Sequence, residues 1–212
     1  LKLWSDNKPC INTWLSIPNS FTAEAISKMN WDSITIDMQH GQIDYSTSLP
    51  MLQAITASDA VTFTRVQWNE PGIIMKMLDL GVMGIIAPMI NNQKECEDFV
   101  SNCYYPPIGR RSFGPIRSQL IYGSDYYEEA NKEVISLAMI ETKEAVENID
   151  DILSVPNLTG IYIGPGDMCS SYGLKPHFDP REDPIFSNIK MIAKKAKEKG
   201  KIAGIHNGST QY

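Results

Sequence analysis

The sequence predicts an α/β protein on parallel strands, a TIM-type (β/α)8 barrel. Three observations predict it. Seven short apolar runs recur along the 212 residues with helical patterns between them, and alternation of this kind means a parallel sheet. Most of the runs are continuously apolar, as expected of strands covered on both faces. Four of them end in chemistry-bearing residues: Ile34-Thr35-Ile36-Asp37 runs out at His40, Val61-Thr62-Phe63-Thr64 at Arg65, Ala138-Met139-Ile140 at Glu141, and Ile161-Tyr162-Ile163-Gly164 leads through Pro165-Gly166 to Asp167. The spacings His40 to Arg65 and Glu141 to Asp167 each match one strand–helix–strand unit, roughly 25–30 residues. Each unit returns the chain to the same rim. An acid–base group, a fixed cation and two carboxylates are therefore expected on the face where such barrels do chemistry.

The predicted strands are 12–17, 33–38, 61–66, 84–90, 134–141, 159–164 and 201–206. A helix over 71–80 opens with Pro71 at a first-turn position after Asn69-Glu70 and stops at Gly81. One over 92–103 begins Asn-x-x-Glu, like a capping box, with Cys96, Phe99 and Val100 on one face. One over 185–199 carries Ile185, Ile189, Ile192, Ala193 and Ala196 on one stripe and ends at Gly200. The stretch 104–133, with Pro106-Pro107, Gly109-Arg110-Arg111 and Tyr122, Tyr126, Tyr127, reads as one long functional or partner-holding loop. A closed barrel needs one more strand and helix. The sheet is either open or completed beyond residue 212, and the second is the expectation: one catalytic barrel domain over 1–212, C-terminally incomplete.

A net charge of −6 and the lack of a basic run argue against a nucleic-acid surface. Lys194, Lys195, Lys197, Lys199 and Lys201 read as a solvated helix face with cations at its C-terminus. Cys10, Cys96, Cys103 and Cys169 form no C-x-x-C pair, so free thiols in a reducing, cytoplasmic compartment are expected, with Cys96 and Cys103 in the core. No stretch reaches the ~18 apolar residues that span a bilayer, and no signal-peptide core opens the chain.

Glu141 and Asp167 offer two hard oxygen donors at adjacent strand ends, a set that suits Mg²⁺ or Mn²⁺. The alternative is that each caps the helix that follows it. Gly164-Pro165-Gly166 favours function, because a glycine-bearing turn lets backbone approach a ligand and N–H groups opening a helix hold carboxylates. His40 follows Asp37, and an aspartate beside a histidine fixes its tautomer and raises its basicity; a structural histidine is the other reading. Arg65 ends an apolar strand and must face an anion, either a structural carboxylate or a substrate. Trp14 and Trp68 read as core aromatics, and Trp14 is also a substrate-binding candidate. His177 reads as surface loop, and His206, ending the last strand, as a weaker site candidate. No dinucleotide fingerprint, P-loop or G-x-S-x-G element occurs. No lysine ends a buried strand, which speaks against a Schiff base.

At these residues the chain resembles the HpcH/HpaI aldolase/citrate lyase family, the class II metal-dependent pyruvate aldolases. The resemblance runs over nearly all 212 residues, through the blocks Trp31-Asp32-Ser33-Ile34-Thr35-Ile36-Asp37-Met38-Gln39-His40, Arg65-Val66-Gln67-Trp68-Asn69-Glu70-Pro71, Met77-Leu78-Asp79-Leu80-Gly81, Tyr105-Pro106-Pro107-x-Gly109-x-Arg111, Ile140-Glu141-Thr142 and Ile163-Gly164-Pro165-Gly166-Asp167-Met168. It implies an eightfold barrel and a divalent cation (Mg²⁺ or Mn²⁺, with Co²⁺ also suited) on Glu141 and Asp167. It also implies a 2-oxo acid substrate whose carboxylate is received at Gly166-Asp167, and a homo-oligomer, a hexamer or trimer of dimers. By position, His40 with Asp37 is the acid–base group, Arg65 steadies the enolate, and Asp79 reaches an adjoining subunit's site. This chain has Gln39 where the family usually has Glu, and Met139 where it usually has Gln.

The reading is a lyase that cleaves a 4-hydroxy-2-oxo acid to pyruvate, or a related 2-oxo acid, and an aldehyde through an enolate. Two alternatives are a malyl- or citryl-CoA-type lyase, for which Arg110-Arg111 is the only hint, and a metal-dependent 2-oxo acid binding protein without turnover.

Overall fold

All seven apolar runs form strands. The computed structural model describes residues 2–209 and 211. Its elements are α1 (Lys2–Ser5), β1 (Asn12–Leu15), α2 (Ser20–Ser27), β2 (Ser33–Asp37), α3 (Tyr45–Ile55), β3 (Val61–Arg65), α4 (Pro71–Asp79), β4 (Gly84–Ala87), α5 (Gln93–Cys103), α6 (Ile116–Tyr122), α7 (Tyr126–Glu133), β5 (Ile135–Ile140), α8 (Lys143–Glu147), α9 (Ile149–Ser154), β6 (Gly160–Ile163), α10 (Pro165–Ser171), α11 (Ile185–Glu198) and β7 (Ile202–Ile205). The strands follow one another in chain order. This is the sequential parallel α/β arrangement of the TIM-barrel class. Each strand stops one to three residues before its expected end, so Asp37 and Arg65 are the last residues of their strands, His40 and Glu141 lie just beyond theirs, and Asp167 falls in the helix that follows β6. The chain divides into two compact units, residues 1–86 with 101–135 and residues 87–100 with 136–212.

In the first unit β1, β2, β3 and β4 pair in parallel, with Trp14 opposite Thr35, Asp37 opposite Arg65 and Phe63 opposite Gly84. Its core is Ile34 and Ile36 of β2, Met51, Leu52 and Ile55 of α3, and Ile74, Met77 and Leu78 of α4, all buried. Truncating one such side chain to Ala costs about 2–5 kcal/mol. The helix ends are chemically closed. Asp44 and Thr47 form a capping box at α3, the Glu70 carboxylate accepts from the N–H of Gly72 and Ile73 at α4, and Gly81 exits α4 at φ 94°. Trp68, read as core, is 58% exposed on the turn after β3.

The stretch 104–133 is not one long loop, because it folds into α6 and α7. The donors of α6 satisfy the carbonyls that end α4. Ser118 donates to Leu78 O at 2.6 Å, Arg117 to Leu80 O, and Tyr122 to Gly81 O at 2.7 Å. Leu78 O also accepts the Gly81 N–H at 3.0 Å, and the α6 donors add tertiary partners at a helix end where carbonyls run short of intrahelical ones.

In the second unit β5, β6 and β7 pair in parallel, with Ile140 opposite Ile163 and Ile163 opposite Ile205. Ile185, Ile189, Ile192 and Ala196 of α11 are buried as their spacing predicts. At the start of α5, Asn92 Oδ1 accepts the Glu95 N–H at 3.0 Å. Cys96 is fully buried, and burial pushes its thiol up to about 12. All four cysteines are free thiols. Among the described residues no helix is long and apolar enough to cross a membrane.

Candidate active site

Asp37 and Arg65 end β2 and β3 and face each other across the ladder. The carboxylate takes the guanidinium with both oxygens, Oδ1 from Nε at 2.9 Å and Oδ2 from Nη2 at 2.7 Å, and both side chains are buried. The ring of Trp14, half-buried on β1, lies 4.7 Å from the guanidinium carbon. Arg65 is thus fixed in its plane by a carboxylate and on its face by an indole. Two of its five N–H donors go to Asp37, and three are left for other acceptors.

Asp37 Oδ1 also accepts the backbone N–H of Gln39 at 3.1 Å and of His40 at 3.3 Å. Burial alone would raise the Asp37 pKa. The bonds and charge of Arg65 and the two N–H groups outweigh it and hold the carboxyl below its ordinary value. This corrects one expectation. Asp37 does not touch the His40 imidazole; it holds the His40 backbone, and the ring stands exposed on the turn. The strand register gave the carboxylate a stronger, cationic partner.

Asp79, the last residue of α4, is paired within its own chain. Arg111 Nη2 donates to its Oδ1 at 2.8 Å. The Arg111 side chain is wholly buried, 4.4 Å over the Tyr105 ring, and Nη1 donates to Tyr126 Oη at 3.1 Å. Burial raises the Asp79 pKa, and Arg111 offsets only part of the rise. Arg111 is therefore unavailable to grip a nucleotide, and of the Arg110-Arg111 pair only Arg110 is exposed. The aromatic residues Tyr105 and Tyr126 flanking Arg111 were the signal in the sequence for this buried cation.

Glu141 follows β5 and is fully buried, its Oε1 accepting the Met89 N–H at 2.8 Å. It does not cap the next helix. Thr142 does, accepting the Ala145 N–H at 3.0 Å. Asp167 is not a cap either: Gly164 is the N-cap of α10, and Asp167 sits exposed in its first turn. A Cβ on Gly164 would lie 2.7 Å from Glu141 Oε2 and 2.6 Å from Met139 Cε, so only glycine leaves that carboxylate oxygen its room. At Gly166 the nearest ring is that of Phe178, 3.6 Å from where a Cβ would stand, a neighbour with no signal in the local sequence. Among the described residues no group of three or more His, Cys, Asp or Glu could hold a metal ion. The donors offered are hard carboxylate oxygens, which with ligand oxygens and water fit Mg²⁺ or Mn²⁺. His177 lies exposed in a loop as expected, and His206 follows β7 beside the Phe178 ring at 5.2 Å.

The family model described as HpcH/HpaI aldolase/citrate lyase matches residues 11–207. A hydroxypyruvate/pyruvate aldolase of Rhizorhabdus wittichii is 44% identical over 206 residues, covering 97% of this chain and 82% of that protein. A 4-hydroxy-2-oxo-heptane-1,7-dioate aldolase of Salmonella arizonae is 32% identical over 201 residues, covering 93% and 76%. The crystal structure of an HpcH/HpaI aldolase/citrate lyase family protein from Burkholderia cenocepacia superposes with a TM-score of 0.89 at 25% identity, over 96% of this chain and 81% of that one.

Proposed function

The chain belongs to the HpcH/HpaI aldolase/citrate lyase family, and on that premise we propose that it cleaves a 4-hydroxy-2-oxo acid to pyruvate, or a related 2-oxo acid, and an aldehyde. It is an aldolase, an aldehyde-lyase of the metal-dependent class. The observation that carries the reading is Glu141, a fully buried carboxylate just past a strand end, beside whose Oε2 Gly164 leaves the room that a Cβ would fill.

Glu141 and Asp167 are the residues that would hold one divalent cation, Mg²⁺ or Mn²⁺. When bound, such a cation supplies Lewis-acid chemistry to the keto oxygen of a 2-oxo acid. The backbone N–H groups opening α10 at Gly166 and Asp167 receive the substrate carboxylate. Arg65, fixed by Asp37 and Trp14, presents its remaining donors where the enolate oxygen gains charge. His40, on a turn held by Asp37, takes the proton of the 4-hydroxyl as that carbon becomes a carbonyl. Asp79 completes the site of an adjoining subunit in a homo-oligomer, and the four free thiols fit a cytoplasmic enzyme.

The test is pyruvate release from a panel of 4-hydroxy-2-oxo acids, followed through lactate dehydrogenase, with Mg²⁺ or Mn²⁺ and with EDTA. Metal-dependent release from at least one substrate is expected. No release from any of them, in a folded protein that binds Mn²⁺, would leave a binding protein without turnover.

A further inference from the structure

A cavity opens in the first unit at the other end of the strands from Asp37 and Arg65. Val61 and Ile135, the first residues of β3 and β5, border it, and α1 contributes Leu3 and Trp4. Its volume is about 420 Å³, within the range that takes a small molecule. Trp4, Trp31 and Phe63 give it three aromatic walls. Phe63 is held in place, because a Cβ on Gly84, its neighbour across the ladder, would overlap the ring.

The two indoles differ. The Trp4 N–H has the Cys10 sulfur as its acceptor. Trp31 Nε1 is buried and has no hydrogen-bond partner. Asp32, next in sequence, has its Oδ2 taken by the Ile11 N–H at 2.7 Å. Buried polar atoms in native proteins are nearly always paired, so a lone donor on a residue that walls a cavity calls for an acceptor that enters the cavity. An indole N–H only donates. Charge narrows the class further. Asp32 and Asp59 border the cavity against one cation, Lys2, so an anion gains nothing there. Burial, and then the Asp32 charge, push the Cys10 thiol up, so it stays protonated and is a poor nucleophile. We propose that this cavity is a second small-molecule site, taking an uncharged aromatic compound with one oxygen acceptor, its ring between the aromatic walls and its oxygen on the Trp31 N–H. Aromatic ketones are the simplest compounds of this kind. The site uses no residue of the catalytic rim, so it stands independently of the aldolase reading.

The experiment follows the indole N–H resonances of the four tryptophans in the ¹⁵N-labelled full chain, assigned by single Trp→Phe variants. Acetophenone is the probe, ethylbenzene has the same carbon skeleton without the oxygen, and benzoate supplies the anion. Acetophenone should move the Trp31 indole proton downfield and saturably, with a Kd below about 1 mM, the range of a fragment-sized ligand. Trp14 and Trp68, which lie toward the other end of the strands, should stay in place. Ethylbenzene should bind at least about fivefold more weakly, the usual net worth of one hydrogen bond, and benzoate no better than ethylbenzene. Folded Trp31→Phe, read on the Trp4 resonance, should bind acetophenone only as well as wild type binds ethylbenzene. No saturable shift of Trp31 up to the solubility of acetophenone overturns the proposal. So do shifts confined to Trp14 or Trp68, or equal Kd values for acetophenone and ethylbenzene in wild type. Benzoate binding more tightly than acetophenone overturns the uncharged class. The wild-type comparison of the two uncharged compounds does not depend on any variant folding.

Discussion

Asp37 and Arg65 sit opposite each other at the ends of neighbouring strands and close a two-toothed ion pair, 2.9 and 2.7 Å, behind which almost no water reaches either side chain. The pair divides the labour of this rim. The aspartate orients the cation and ties the His40 turn, and the cation keeps donors for what binds.

Breaking the pair by Asp37→Asn should destabilise the protein by about 3–5 kcal/mol at pH 7, because a buried guanidinium is left without its counter-ion. The Asp37 carboxyl is held below its ordinary value, so its contribution is full above about pH 4 and disappears as pH falls through the lower folded value. Urea unfolding at pH 7 and at pH 3 should therefore show a gap between wild type and Asp37→Asn that narrows in acid. A constant gap would mean that the carboxylate's charge is not what matters.

Arg65→Lys keeps the charge but loses the planar fork. Cleavage should fall by one or more orders of magnitude, the ~2 kcal/mol scale of a lost oxyanion contact. Steady-state kinetics at the wild-type rate would make Arg65 only Asp37's counter-ion.

Gly164→Ala places a methyl 2.7 Å from Glu141 Oε2 and 2.6 Å from Met139 Cε. Something must move, at a cost of about 1–3 kcal/mol. Because Glu141 also accepts the Met89 N–H, the carboxylate cannot retreat freely. Mn²⁺ affinity by calorimetry should drop at least about tenfold, a ~1.4 kcal/mol loss, and Glu141→Ala and Asp167→Ala should lose it altogether. If both alanine variants bind Mn²⁺ within about threefold of wild type, equivalent to under ~1 kcal/mol, the cation lies elsewhere.

Asp79 titrates in the opposite sense to Asp37. Its pKa is raised by burial despite Arg111, so the folded state holds this proton more tightly than the unfolded chain. Its contribution is then most favourable below about pH 4 and declines as pH rises through the folded value. Arg111→Met removes the offsetting cation, which should lift the pKa further and steepen the loss of stability above pH 4. Thermal unfolding across pH 4–7 reads this directly, and parallel curves for the two proteins would show that Asp79 does not feel Arg111.

His40→Ala should abolish C–C cleavage yet leave Mn²⁺ and pyruvate binding in place, since neither depends on the imidazole. Cleavage retained at more than about a tenth of the wild-type rate is less than the ~100-fold expected of a general base, and would return His40 to a structural role.

Much of this protein is written locally. Continuous apolar runs determined all seven strands, the Pro71-to-Gly81 punctuation determined α4, and the Ile185, Ile189, Ile192 and Ala196 stripe determined the buried face of α11. Strand-end position was enough to single out His40, Arg65, Glu141 and Asp167. Two helices, α6 and α7, were hidden because Pro, Gly and Arg punctuate 104–115 and their helical spans are short. The partners were not legible at all. Asp37 was read beside its sequence neighbour His40, but strand register set Arg65 opposite it. Asp79 was read only for an inter-subunit role, and its partner within the chain, Arg111 set against Tyr105 and Tyr126, came with the fold. A side chain's period and terminus signals depend on a few residues around it, whereas its ion-pair partner depends on which strands and helices pack together, a relationship across some 30 residues of chain that only the tertiary structure decides.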